Sequence, residues 1–403
     1  MRFVLANRLM NQAGGTEVHL VTIGSELLRL GHEAVIYAPE LGPFADHARE
    51  RGIEVVDELD ELPVECDVVL AQDSIVVYDL AERYPGAVSV FRICGDTFDF
   101  QSPPQVEGIL DLVVVLSERY ARLAHAFAVE PPVARLRIPV DVERLAPVGT
   151  IRARPRRAVI LGNYPDRVHV VREAWEGQGV EVSQVGAAQQ RFDIAPALES
   201  ADIVVGKSRA AVDAMACGRA VYVYDTFGGD GWVTPDTYAA MEADHFAGQA
   251  TDRVIGVEEM ARDLADYDRR MGAVNRDLAI QHHSAREHVV ELLSALVSAP
   301  NERPSAPLGE LGRLTALQWS WERFARQAQH EQALLHERLL VAERVAEEWE
   351  ITANAERERA EILQRAADWA VSLEADLKSI HASRAWRLAG GYRRWRDRLL
   401  RAR

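Results

Sequence analysis

The sequence predicts an α/β protein: two doubly wound parallel-sheet domains in tandem, then a long helical extension. Three observations predict it. Short apolar runs alternate with amphipathic stretches of helical period from the first residues to about residue 148. The alternation restarts after Pro147. Beyond about residue 311 the chain is helix-forming almost without a break.

Phe3 to Ala6 is the first predicted strand, followed by a loop containing Gly14 and Gly15. Thr16 to Leu30 is helical, with Val18, Leu20, Val21, Ile23, Leu27 and Leu28 on its apolar face. Gly31 ends it. Ala34 to Tyr37, Ile53 to Val56, Asp67 to Leu70, Ala87 to Ile93 and Leu112 to Leu116 are the further strands of the first domain, 1–148. The second domain, 149–298, opens with a strand at Arg157 to Leu161, then Gly162 and a helix over Val168 to Gln178. Val180 to Val185, Ile203 to Val205 and Ala220 to Tyr224 are its other strands, and 256–298 reads as helical. Ligands of open α/β sheets bind beyond the carboxyl ends of the strands. Gly15, Asp96, Gly162 and Lys207 all fall at such ends.

The stretch from Ala201 to Tyr224 carries the most information. It reads as strand, glycine turn, helix, strand, with Ser208 as the expected N-cap of a helix over Arg209 to Cys217 and Gly218 as its stop. A helix start flanked by Lys207 and Arg209 suits a phosphate. The chain has only two lysines, Lys207 and Lys378. Gly206-Lys-Ser208 is not a nucleotide-triphosphate loop, because Ala201 stands where that motif needs its first glycine.

The formal charge of −16 argues against general nucleic-acid binding. It hides a basic end: residues 384–403 hold eight arginines and one aspartate. Cys66, Cys94 and Cys217 adjoin apolar runs at no metal-type spacing, as expected of small buried residues in a reducing cytoplasm. His282, His283 and His288 lie in a helical stretch without acidic or cysteine partners, so solvated histidines rather than a metal site are expected. Gly228-Gly-Asp-Gly231 reads either as part of a ligand pocket or as a flexible loop.

Residues 299–310, rich in proline and small or polar residues, read as a linker. In 311–382 a heptad phase joins Leu335, Ala342, Val345, Trp349, Leu363, Ala366, Ala370, Leu373, Leu377 and Ile380, weakened by Glu331, Arg338, Thr352, Glu356 and Arg359 in the same seam. The reading is a coiled coil with a poor centre, on which a second copy of the chain would pair; one long solvated helix folding back on the body is the alternative. In the tail, 383–403, Trp386, Leu388, Tyr392, Trp395, Leu399 and Leu400 share one face amid arginines. Such a face suits an anionic membrane surface, or the acidic body of this or a partner protein.

Taken together, Gly14-Gly15-Thr-Glu-Val-His19, Leu28-Arg-Leu-Gly-His32, Val114-Val-Leu-Ser-Glu118, Ile138-Pro-Val-Asp-Val-Glu-Arg-Leu-Ala-Pro147 and Asp213-Ala-Met-Ala-Cys-Gly218 resemble, in order and spacing, the GT-B glycosyltransferases. They are most similar to the family 4 group of retaining enzymes, over roughly residues 1–298. The resemblance implies two Rossmann-like domains facing a cleft. It implies transfer of a sugar (a hexosyl group) from a nucleoside-diphosphate sugar to a glycan, lipid-linked or protein acceptor, with no cofactor beyond that substrate and no metal. Donor contacts would come from Gly162, Asn163, Lys207, Ser208, Arg209 and Asp213. Gly14 and Gly15 would form the acceptor or phosphate loop, and Asp96 and Lys207 would take part in catalysis. Asp213 stands where the family has the second Glu of its E-x7-E motif, and Val205 where it has the first. That departure keeps open a catalytically inactive scaffold of the same fold; a nucleotide-sugar epimerase is the other alternative. Ser383-Arg-Ala-Trp-Arg-Leu388 resembles a segment at the ends of some glycan-assembly transferases. Cell-surface polysaccharide synthesis is the implied setting, in the cytoplasm and peripheral at the inner face of the plasma membrane.

Overall fold

The computed structural model describes residues 1–403 except 96–98, 148, 163–167, 187–191, 226–227, 252, 297–301, 305, 353–355, 384–387 and 389–403. The chain divides into two compact units, Met1–Gly312 and Arg313–Arg403.

The first lobe of the larger unit runs β1 (Arg2–Ala6), β2 (Leu9–Met10), α1 (Gly15–Arg29), β3 (Glu33–Tyr37), β4 (Glu40–Leu41), α2 (Pro43–Glu50), β5 (Glu54–Val56), β6 (Val68–Ala71), α3 (Ser74–Arg83), β7 (Val88–Arg92), β8 (Leu112–Val115), α4 (Glu118–Ala126) and β9 (Val133–Arg135). Its seven-stranded parallel sheet has the order β5-β3-β1-β6-β7-β8-β9, and β2 and β4 pair separately. Strand interiors such as Phe3, Val4 and Leu5 are buried on both faces, as a helix-covered parallel sheet requires. Asp73 and Ser117 cap α3 and α4 by accepting from Val76 N and Tyr120 N.

The second lobe runs β10 (Arg157–Leu161), α5 (Val168–Glu176), β11 (Glu181–Val185), α6 (Ala195–Ser200), β12 (Ile203–Gly206), α7 (Arg209–Ala216), β13 (Ala220–Asp225), β14 (Gly228–Trp232), α8 (Pro235–Ala243), α9 (Val257–Asp263), α10 (Arg270–His283) and α11 (Ala285–Ala295). The sheet order is β11-β10-β12-β13-β14, parallel except for β13 with β14. Every strand predicted from the sequence is present.

The Gly228 to Gly231 run is neither a pocket loop nor a flexible one. It is the buried edge strand β14, and glycine is needed there for close approach: a Cβ at Gly228 would lie 2.7 Å from the Gly248 carbonyl oxygen and 2.8 Å from that of Arg253. Gly218 stops α7 at φ +65°, as predicted, and α10 crosses so near that a Cβ on Gly272 would run into the Gly218 carbonyl oxygen.

The segment after β9 joins the lobes. Val140 N donates to His283 O (2.7 Å), and Ala285 N donates to Val140 O (2.9 Å). Asp141 Oδ2 accepts from Arg29 of α1 at 2.7 Å. His283 and His288 are buried, not solvated: their Nδ1 atoms lie 2.8 Å from Ile138 O and 2.7 Å from Arg137 O. Burial pushes both rings down, to about 3 and about 4. His288 also meets His19 of α1 edge-on at 5.5 Å, so α11 closes over the first lobe. Within 299–310, Arg303 donates to Ala87 O, Gly108 O and Asp111 Oδ2.

α12 (Leu308–Thr352) continues into the smaller unit, where α13 (Glu356–Ala382) follows. The Arg338 guanidinium of α12 lies 6.0 Å from the ring centroid of Trp369 in α13. Ala342 and Leu373, both of the predicted seam, are buried. Of the basic aromatic tail, 384–403, only Leu388 lies among the described residues.

Candidate functional site

A cavity of about 360 Å³ lies between the lobes of the larger unit. Gly14, Gly15 and Val18 line its first-lobe wall; Gly162, Lys207, Ser208, Arg209 and Asp213 line the opposite wall. Seven of the nine candidate residues named from the sequence therefore meet in one place. Asp96 and Asn163 lie outside the described residues.

The wall follows from the strand order. β10 and β12 are neighbours, so Gly162 and Lys207 leave adjacent strand ends on the carboxyl edge of the sheet. The start of α7 faces the glycine loop at the start of α1 across this cavity.

Ser208 departs from the expected cap. It sits at φ 48°, ψ −125°, and its side chain makes no capping bond. Its N–H goes instead to Phe246 O at 2.9 Å, while Ala210 N and Ala211 N bond back to Lys207 O and Ser208 O. These three amides are taken up within the protein; Lys207, Arg209 and Arg144 supply the cationic side chains of the cavity lining. A non-glycine residue held at positive φ is a mark of functional sites.

Arg209 Nε approaches Asp213 Oδ2 at 3.4 Å, one helical turn away. Its Nη2 reaches across the cleft to Thr22 Oγ1 of α1 at 3.0 Å. Asp213 is 4% exposed, and burial raises its carboxyl above the ordinary aspartate value. Asp213 Oδ1 and Arg209 Nη1 have no hydrogen-bond partner among the described residues. Lys207 Nζ donates to Asp225 Oδ2 at the end of β13. Val205 is buried in the sheet at 1% exposure and offers the cavity nothing polar.

Sequence reasoning missed Asp225, Arg144, Phe192 and Thr22. Arg144 lines the cavity and pairs with Asp193 at 3.1 Å; Phe192 lines it too and packs edge-on against Phe44 of α2 at 5.4 Å. Arg144 was within reach, since it lies in the interdomain segment singled out above. Phe192 sits in a stretch with no periodicity.

Among the described residues no group of His, Cys, Asp and Glu could hold a metal ion, and no helix is long and apolar enough to cross a membrane. The three cysteines are unpaired, and burial pushes their thiols up to about 11 for Cys66 and Cys94 and about 12 for Cys217.

No protein-family model matches the sequence, and no curated protein matches it. The fold does have solved counterparts. The crystal structure of Anabaena HepE in complex with UDP and glucose is similar at a TM-score of 0.52 and 13% identity. That of HepE with UDP-glucose is similar at 0.52 and 14%. Each match covers 73% of this chain and 100% of the other. The chain thus has the GT-B-like architecture: two Rossmann-like parallel-sheet lobes with a cleft between them, followed by a long C-terminal helical extension.

Proposed function

We propose that the chain is a retaining glycosyltransferase whose interlobe cavity holds a nucleoside-diphosphate sugar. The observation that carries this reading is Asp213 Oδ1, a buried carboxylate oxygen on the cavity wall without a hydrogen-bond partner among the described residues. Such an oxygen is suited to accept from ribose hydroxyls. Lys207 and Arg209 stand beside it, where charge develops on the departing diphosphate as its bond to the anomeric carbon breaks. Fixed cations aimed at that oxygen lower the barrier. The acceptor would enter on the Gly14–Gly15 side, and the departing diphosphate would take up the acceptor hydroxyl's proton.

Because HepE is crystallised with UDP-glucose, UDP-sugars are the first donors to try. A glycan, lipid-linked or protein acceptor in cell-surface polysaccharide synthesis fits a chain with a basic aromatic end, which would hold the cleft near an anionic membrane. Pairing of two copies through α12 and α13 would double that attachment.

Thermal-shift measurements against UDP, GDP and dTDP and their hexose conjugates test the reading. A ligand that binds only the folded chain raises the midpoint. Stabilisation by one diphosphate, with its release from the matching sugar nucleotide, is the expected result. No stabilisation by any of them sinks the proposal. Binding without turnover under any acceptor would favour the inactive scaffold, for which Val205 in place of a glutamate is the supporting observation.

A further inference from the structure

A second pocket, of about 30 Å³, opens beside the main cavity and shares Leu161, Gly162 and Lys207 with it. Asp225, the last residue of β13, lines this pocket and is 5% exposed. Its Oδ2 accepts from Lys207 Nζ, while its Oδ1 has no hydrogen-bond partner among the described residues. Buried carboxylate oxygens are normally satisfied, so one left open at a cleft points to a donor supplied from outside. β12 and β13 run parallel with Gly206 opposite Val223, so Lys207 and Asp225 leave neighbouring strand ends on the ligand-binding edge.

The chemistry selects the occupant. A carboxylate repels phosphate oxygens and attracts hydroxyl donors. We propose that Asp225 Oδ1 receives a hydroxyl of the donor sugar, with Lys207 holding the carboxylate in place and neutralising it beside the diphosphate. Asp225 then supplies, from the next strand, an acceptor that the apolar Val205 does not. The inference rests on reading the cavity as a nucleotide-sugar site.

The test is calorimetric titration of the intact chain and of Asp225→Asn with UDP, UDP-glucose, GDP and GDP-mannose. In the variant Lys207 would claim the remaining oxygen and turn the amide nitrogen toward the sugar, a donor where an acceptor is needed. With a negative charge removed beside the diphosphate, the variant is expected to bind the parent diphosphate at least as tightly as the native chain. The extra affinity contributed by the sugar should fall about tenfold, the size of one charge-assisted hydrogen bond. Monodeoxy sugar nucleotides supply an independent arm. One deoxygenation should weaken binding to the native chain by a similar factor and leave the variant indifferent.

A variant that binds the diphosphate and keeps the full sugar increment overturns the inference and leaves the cavity reading standing. A folded variant that loses the diphosphate assigns Asp225 to holding Lys207 alone, and also overturns it. Should the variant not fold, the deoxy series on the native chain decides, and indifference to every deoxygenation overturns the proposal. A native chain that binds none of the four probes overturns both readings.

Discussion

Arg209 donates from α7 of the second lobe to Thr22 of α1 in the first, at 3.0 Å, while its Nε stays 3.4 Å from Asp213. One guanidinium thus ties the cleft's two walls and holds its buried acid. Arg209→Ala should leave that carboxylate unpaired and cost about 3–5 kcal/mol of stability, as removing one partner of a buried pair does. Equilibrium urea unfolding checks the figure. Thr22→Val, which removes only the contact across the cleft, should cost about 1 kcal/mol.

Ser208 holds a positive φ without using its hydroxyl as a cap. Ser208→Gly should therefore leave stability unchanged or raise it slightly. Ser208→Val should lower it by about 1–3 kcal/mol, because a β-branched residue tolerates that conformation worst. Denaturation midpoints of the two variants decide; equal midpoints would contradict the strained backbone.

Burial lowers His283 to about 3, His288 to about 4 and His245 to about 3. A folded-state value below the unfolded one, near 6.5, means that the unfolded chain binds more protons between those limits. Stability should be fully present above about pH 6.5 and fall as pH drops toward 4, by about 1.4 kcal/mol per pH unit for each histidine. Urea unfolding at pH 7.5 and 5.0 measures the slope. His288→Gln should reduce it by one proton's worth, and an unchanged slope would mean the ring titrates normally.

Gly272→Ala should destabilise by at least about 2 kcal/mol, because its new methyl meets the Gly218 carbonyl, which is backbone and cannot swing away. Thermal unfolding would show it, with Gly256→Ala, where nothing lies within 4 Å of the added carbon, as the control.

Arg303 and Asp111 are 7% and 1% exposed at the side chain and 2.7 Å apart. Arg303→Ala should cost about 3 kcal/mol. It should also speed proteolytic cleavage near residue 303, since four hydrogen bonds to the first lobe depend on that guanidinium.

The strands were legible because buried parallel strands write themselves as short apolar runs, and Phe3 to Ala6 or Ala220 to Tyr224 admit no other reading. The cleft's glycines were legible because they follow those strands, and the acid at Asp213 through the resemblance of residues 213–218 to a family motif. The Lys207–Asp225 pair was not, since eighteen residues and a helix separate partners that only sheet register brings together. β14 was hidden by its glycines, which signal a loop unless the facing backbone at Gly248 and Arg253 is known. His283 and His288 read as solvated because the carbonyls that receive them, Ile138 and Arg137, lie far away in sequence.

The closure of α11 over α1 bears on how the molecule can be cut. Arg286 and His288 of α11 meet Glu26 and His19 of α1. A fragment ending near residue 148 would therefore expose a helix face that natively belongs to an interior. Dissecting the halves requires supplying 285–295 in trans or grafting it onto the amino-terminal piece.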